Sequence, residues 1–348
     1  MTSSNGGAAA GPFAATVDGA FRAVAARATA DELRRVIEAY AAGGATPREC
    51  EERRLAAVNY PIPSGCDDPA YRPLFSALFV YGRCDLVAVL LEAGADAAAA
   101  CGPNCSALAL ALHCGLTDTL RALLRTGRCQ ADEELRYQIK GFVEGVEGVP
   151  PAIRSARCRA VHLAIVPPVM DDPEPPPRLD ALAVLVREYG ADVNARDQGG
   201  HTPLHWVIHS ESPRAERERA VDALLELGAD LEVACAAEGA TVLSEAAGMG
   251  SDLVPYLLSK GASADASDDL GWTPLMRACR LEERDARVNV PLLLAASSQE
   301  TLRATEHEAG LSALDCLIAN FGRSCPRWTR DAIEQLVEAR VPFVHPFF

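Results

Sequence analysis

Apolar positions in this chain recur in two alternating patterns. One is a short run opened by a small or hydroxylated residue and often a proline, as in Gly200-His201-Thr202-Pro203-Leu204-His205-Trp206 and Gly271-Trp272-Thr273-Pro274-Leu275-Met276. Weaker copies are Tyr71-Arg72-Pro73-Leu74, Cys105-Ser106-Ala107-Leu108, Arg159-Ala160-Val161-His162-Leu163-Ala164, Ala240-Thr241-Val242-Leu243 and Gly310-Leu311-Ser312-Ala313-Leu314. The other is a leucine pair followed by Gly-Ala-Asp, as in Leu90 to Asp96, Leu224 to Asp230 and, without the Asp, Leu257 to Ala262. Val186 to Asn194 is one residue longer before its glycine; Leu123 to Gly127, Leu293 to Ala296 and Leu336 to Arg340 are degenerate. The first pattern predicts a helix capped by the hydroxyl of Thr202, with Pro203 in a turn that has no donor to lose. The second predicts a helix ended by a left-handed glycine such as Gly228.

The core positions Leu74, Leu108, Val161, Leu204, Leu243, Leu275 and Leu314 lie 32 to 53 residues apart, from 275 − 243 and 161 − 108. A repeat of about 33 residues with insertions accounts for that spacing. On these residues the chain resembles the ankyrin-repeat family over about residues 70 to 345. The resemblance implies an all-α ankyrin-repeat solenoid of stacked helix-turn-helix units with hairpin fingers. One such unit cannot bury its own apolar face, so neighbours must stack.

This divides the chain into a disordered N-terminus (1–12), a divergent first repeat or N-terminal cap plus loop (13–69) and a first block of repeats (70–129). An irregular helical connection (130–154) and a second block with a C-terminal cap (155–348) follow. Ala41 to Ala45 reads as a worn end to the first repeat. Four insertions fall between the helices of a repeat: Val166–Arg178, Ser210–Arg219, Glu282–Val290 and Asn320–Arg330. They read either as drift at a tolerant site or as a second contact edge. The apolar tail Val341 to Phe348 reads as a cap over the last repeat or as a docking motif.

Composition narrows the function. Of 348 residues 49% are apolar but only 5% aromatic, which suits close-packed helices. The net charge of −15 argues against nucleic-acid and anionic-membrane partners, which need a basic face. Met1 to Gly11 carries no signal segment, and no run approaches the roughly 18 apolar residues of a membrane span. The twelve cysteines are then expected reduced, in cytoplasm or nucleus.

Candidate chemistry is sparse. His201, His205 and His209 are four apart, a spacing that would align metal ligands on a helix. His201 precedes the helix, however, and the resemblance makes His205 the motif histidine that bonds the threonine and nearby backbone, with His162 equivalent. Cys101, Cys105, His113 and Cys114 match no common zinc spacing; like Cys279 and Cys316 they read as packing residues. Asp171, Asp172 and Glu174 read as solvated charge, as does the mixed run Arg214 to Arg219. Asn194 matches a finger asparagine that is hydroxylated in some relatives, and equally a hairpin stabiliser. No cofactor, metal or catalytic residue is expected.

The resemblance implies a non-enzymatic scaffold that binds a partner protein on a concave surface, as a monomer by itself. An adaptor recruiting substrates to a ubiquitin ligase or other regulatory complex is the alternative, and an enzyme with a site in residues 1–70 the remote one. The implied contact residues are Arg196, Asp197, Gln198, His201, Asp268, Asp269 and Trp272 on the fingers, and Trp206, His209, Arg277 and Arg280 on the first helices. Trp and Arg dominate interface energetics; Trp206 is equally readable as packing between helices.

Overall fold

The structure, a computed structural model, describes residues 29–59, 74, 77, 83–98, 106–132, 134–136, 157–165, 177–321 and 326–343. These residues are mostly helical. The elements are α1 (Ala30–Ala41), α2 (Pro47–Asn59), α3 (Cys84–Glu92), α4 (Ala107–His113), α5 (Thr117–Arg125), β1 (Glu134–Arg136), β2 (Arg157–Arg159), α6 (Ala160–Ile165), α7 (Leu179–Ala183), α8 (Pro203–His209), α9 (Arg214–Glu226), α10 (Val242–Gly248), α11 (Val254–Ser259), α12 (Pro274–Ala278), α13 (Glu283–Ala296), α14 (Gln299–Leu302), α15 (Ala313–Phe321) and α16 (Arg327–Glu338). They fall into two compact units, residues 1–138 with 180–190, and residues 139–179 with 191–348.

In the first unit α1 packs on α2 and α3, and α5 on α3 and α4. Thr29 caps α1 through a reciprocal box with Glu32, which satisfies two backbone donors at once. Ala42 to Thr46 turns the chain into α2, whose last residue, Asn59, donates to the carbonyl of Gly94 and accepts from the amide of Asp96. Leu86, Leu90, Leu108, Leu120 and Leu123 are buried between these helices.

The longer copy of the second pattern has a physical solution. After α7 the backbone runs as a π-turn over Val184–Glu188, a wider coil that absorbs one extra residue. Gly190 then still ends the helix at φ 68°, and its amide bonds the carbonyl of Val186. Arg121 grips Glu188 through paired hydrogen bonds, and the Tyr189 hydroxyl donates to the Arg121 carbonyl.

The second unit has two helical layers. First helices form one row, α6 on α8, α8 on α10, α10 on α12 and α12 on α15. Second helices form another, α11 on α13 and α13 on α16. Leu204, Leu243, Leu275 and Leu314 of the first row and Leu224, Leu257, Leu293 and Leu336 of the second are all buried between them. Truncating one of these to alanine removes about 2–5 kcal/mol. Thr241 and Thr273 cap their helices by accepting the third helical amide, at 3.4 and 3.3 Å.

Three second helices, α9, α11 and α16, end alike. The Leu224 carbonyl accepts from Ala229 and that of Leu225 from Gly228, the crossed pair that lets a left-handed residue close a helix. Leu257, Leu258, Gly261 and Ala262 repeat it, as do Leu336, Val337, Arg340 and Val341. In the last case the left-handed residue is Arg340, at φ 56°.

Residues 131 and 132 form a turn and Glu134–Arg136 the short β1, while 133 and 137–156 lie outside the described residues. Two insertions are helical: Arg214–Arg219 and Glu283–Val290 add turns to the front of α9 and α13, because both runs are rich in helix-forming Arg, Glu and Ala. Val166 to Pro176, Arg323 to Cys325, residues 1–28 and the tail from Val344 lie outside the described residues, as do Cys101, Cys105, Asp171, Asp172 and Glu174.

Candidate functional site

The fingers and first helices of the second unit hold the residues that the sequence singles out. Each finger returns on itself through a backbone bond across its base: Asp197 donates to His201, Cys235 to Ala240, Asp268 to Trp272 and Glu306 to Leu311. Neighbouring fingers are joined by one bond each, from Gln198 to Arg157, Ala236 to Gly200, Asp269 to Glu238 and His307 to Leu270.

Asp197 and Asp268 do not present their carboxylates to a partner, contrary to expectation. Both are buried. One oxygen of Asp268 accepts the amides of Leu270 and Trp272, and one oxygen of Asp197 the amide of His201. The other oxygen takes the side chain nine residues on, the Trp206 indole at 2.9 Å for Asp197 and the Arg277 guanidinium for Asp268. Burial pushes the Asp197 carboxyl up, but His201 and Trp206 more than reverse this, so it stays below the usual range. Trp206 is only 3% exposed, its ring 5.2 Å from that of His162. Of its two readings, packing holds. Arg277 is half-buried between Asp268 and Glu238, 3.0 Å from the latter, and so serves the finger first.

The motif histidines link repeats. His205 Nδ1 accepts the Thr202 amide at 3.2 Å and lies 2.8 Å from its hydroxyl; its other nitrogen meets the carbonyl of Ala240, in the next repeat, at 3.3 Å. His162 does the same with the Arg159 amide and the carbonyl of His201, at 3.2 and 3.0 Å. An Nδ1 that accepts leaves the proton on Nε2, which donates. Burial lowers both, His162 to about 4. Asn194 also spans a junction: its amide donates to Gly228 and accepts from Asp230, the arrangement of Asn59 with Gly94 and Asp96.

His201 is buried and His209 half-buried, and neither lies on an open face. Both converge on Glu245 of α10, which no sequence spacing connects to them. Its oxygens lie 3.6 Å from His201 Nε2 and 3.1 Å from His209 Nε2. Asp197, opposed by burial and aided by Glu245, raises His201, while burial raises Glu245 and the imidazoles, His209 foremost, bring it below its ordinary value. Cys279 and Cys316 are buried thiols; burial pushes the second up to about 11 and the first higher still, so neither is a nucleophile.

What remains accessible is Arg196, Gln198, Asp269 and Arg280, all exposed, with half-buried Trp272 and the finger-tip Leu270, 54% exposed. Leu270 had no place in the sequence reading; an apolar residue at a finger tip was its only signal. The Arg280 guanidinium lies 4.9 Å from the centre of the Trp272 ring. The two border an open groove of about 470 Å³, lined also by Glu308, Ala309, Leu311 and Ala319.

Residues 213–301 match the family model for ankyrin repeats (3 copies), a stretch that runs from the start of α9 into α14. Over that stretch the chain carries ankyrin repeats. Ankyrin repeats are in general protein–protein interaction modules and typically not enzymes. No curated protein matches the chain. No helix among the described residues is long and apolar enough to cross a membrane.

Proposed function

We propose that the chain is a non-enzymatic scaffold, working in cytoplasm or nucleus as a monomer, that binds a partner protein on the finger and first-helix face around Trp272. The observation that carries this is the group of exposed Leu270 and Arg280 with half-buried Trp272 beside the groove. A rigid aromatic and an arginine held over its face are side chains from which interface hot spots are built. Arg196 and Gln198, two fingers earlier, and Asp269, on the same finger as Trp272, supply the polar rim. Asp197, His201, Trp206, Asp268 and, in large part, Arg277 support this face from below.

Affinity capture with the full chain, followed by mass spectrometry, tests the proposal. Proteins retained by the wild type and lost by the double variant Trp272→Ala, Arg280→Ala are the expected result, with circular dichroism showing that the variant is folded. Unchanged retention by a folded variant overturns the assignment of this face. Ligase subunits among the lost proteins would select the adaptor form of the function over a plain scaffold.

A further inference from the structure

His201, His209 and Glu245 are not among the accessible residues of that contact face, yet they form a built arrangement. Their ligand atoms all lie within 4.8 Å of one another. His201 sits at a finger base, His209 ends α8 and Glu245 lies in the first turn of the neighbouring first helix. The group therefore exists only where two repeats are stacked.

We propose that His201 Nε2, His209 Nε2 and the Glu245 carboxylate form a binding site for a divalent transition-metal ion of the zinc class. Two imidazoles and a carboxylate are a donor set that such ions take, with a fourth position left for water or for a partner's side chain. A tetrahedral ion with bonds of about 2.0–2.1 Å holds its donors about 3.3–3.4 Å apart. The His–Glu separations are 3.6 Å to one carboxylate oxygen and 3.1 Å to the other, and one donor atom from each of the three residues can be chosen with all three within 4.8 Å, so a small side-chain adjustment brings them to that spacing.

The surroundings fit. Metal-bound histidines usually aim their second nitrogen at a carboxylate or carbonyl. Asp197 Oδ1 lies 3.5 Å from His201 Nδ1, and the carboxylate is pinned by the His201 amide and the Trp206 indole. Nδ1 of His201 and of His209 are buried without a hydrogen-bond partner, whereas His162 and His205 use both ring nitrogens. Structural histidines of this fold thus look different from these two. His205, the middle member of the run of three, is excluded as a ligand because both its nitrogens are taken. The three side chains are 9–12% exposed, so the group lies at the edge of the buried interior.

The test uses the full chain without an affinity tag, stripped with a chelator and kept reduced. Zinc alone is titrated by calorimetry, and cobalt(II) alone is followed by its visible absorption. One equivalent is expected to bind at the site and to be lost in His209→Ala and His201→Ala. Glu245→Gln should weaken it at least tenfold, and Asp197→Asn, which touches no metal, by about ten- to a hundredfold. The cobalt spectrum should lack the intense near-ultraviolet band of thiolate ligation, which separates this site from the cysteines. If His201→Ala does not fold, His209→Gln at the rim of the cluster decides. Zinc affinity unchanged by His209→Gln, a thiolate band accounting for all bound cobalt, or no binding in large excess of zinc each overturns the site.

Discussion

The Asp197 carboxylate accepts the Trp206 indole N–H at 2.9 Å, in the place where, two repeats further on, Asp268 accepts Arg277. In both cases the finger and its own first helix are tied by a bond spanning nine residues. The donor type is free to change because the acceptor is an anion that either N–H group satisfies.

Trp206→Phe keeps most of the ring's packing and removes only the donor. It leaves a buried carboxylate oxygen unmatched, which costs about 1–3 kcal/mol. Urea unfolding should show that loss, and Asp197→Asn, made in the Trp206→Phe background, should recover part of it. If Trp206→Phe unfolds at the wild-type midpoint, the bond contributes nothing.

Arg340 closes the last helix at φ 56°, where Gly94, Gly228 and Gly261 close theirs. A side chain in that conformation costs about 1–2 kcal/mol, and glycine gives some of this back through the freedom of the unfolded chain. Arg340→Gly should therefore stabilise the protein by about 0.5–1 kcal/mol. Gly228→Ala is the mirror experiment. Nothing lies within 4 Å of the added methyl, so its destabilisation, about 1 kcal/mol, reads the backbone alone. Thermal unfolding of both variants against wild type checks the pair, and equal shifts of the same sign would refute the account.

Glu306 accepts the amides of Glu308, Ala309 and Leu311 at 2.6–3.0 Å. Burial pushes its carboxyl up, but these amides more than reverse that, so it titrates below its ordinary value. The unfolded chain, with a carboxyl near about 4.3, takes up the proton first as pH falls. The stability Glu306 gives is therefore present above about pH 4.3 and declines as pH drops through the folded value. Glu306→Gln should lower stability at pH 7 and flatten the acid limb of a stability–pH curve. A variant with an unaltered acid limb would contradict this.

The repeat was legible because its signals are local. Thr202-Pro203-Leu204 and Leu224-Leu225 to Gly228 state a cap, a core side chain and a helix stop within a few residues. The candidate surface was less so. Polar finger residues are read as exposed, and only the closed geometry of the finger shows that Asp197 and Asp268 turn inward onto their own amides. Glu245 went unseen because its distance from His201 and His209 is set by stacking register, to which spacing along the chain gives no access. Asn194 was legible as a finger residue, but its grip on Gly228 and Asp230 was not. Asn59 makes the same grip at the end of α2, with no motif around it to announce the role. The extra residue in Val186 to Asn194 was countable, whereas its accommodation in a π-turn depends on the hydrogen bonds available there.

The histidine links carry a consequence for how such a chain grows. His162 and His205 each take a proton donor from their own repeat and give one to a main-chain carbonyl of the next. Nothing in that bond depends on which side chain the next repeat bears there. A copied unit spliced in beside its parent would find the same carbonyl waiting. Duplication can therefore lengthen the array without new complementarity, and mutation is left to differentiate the faces that the junctions do not use.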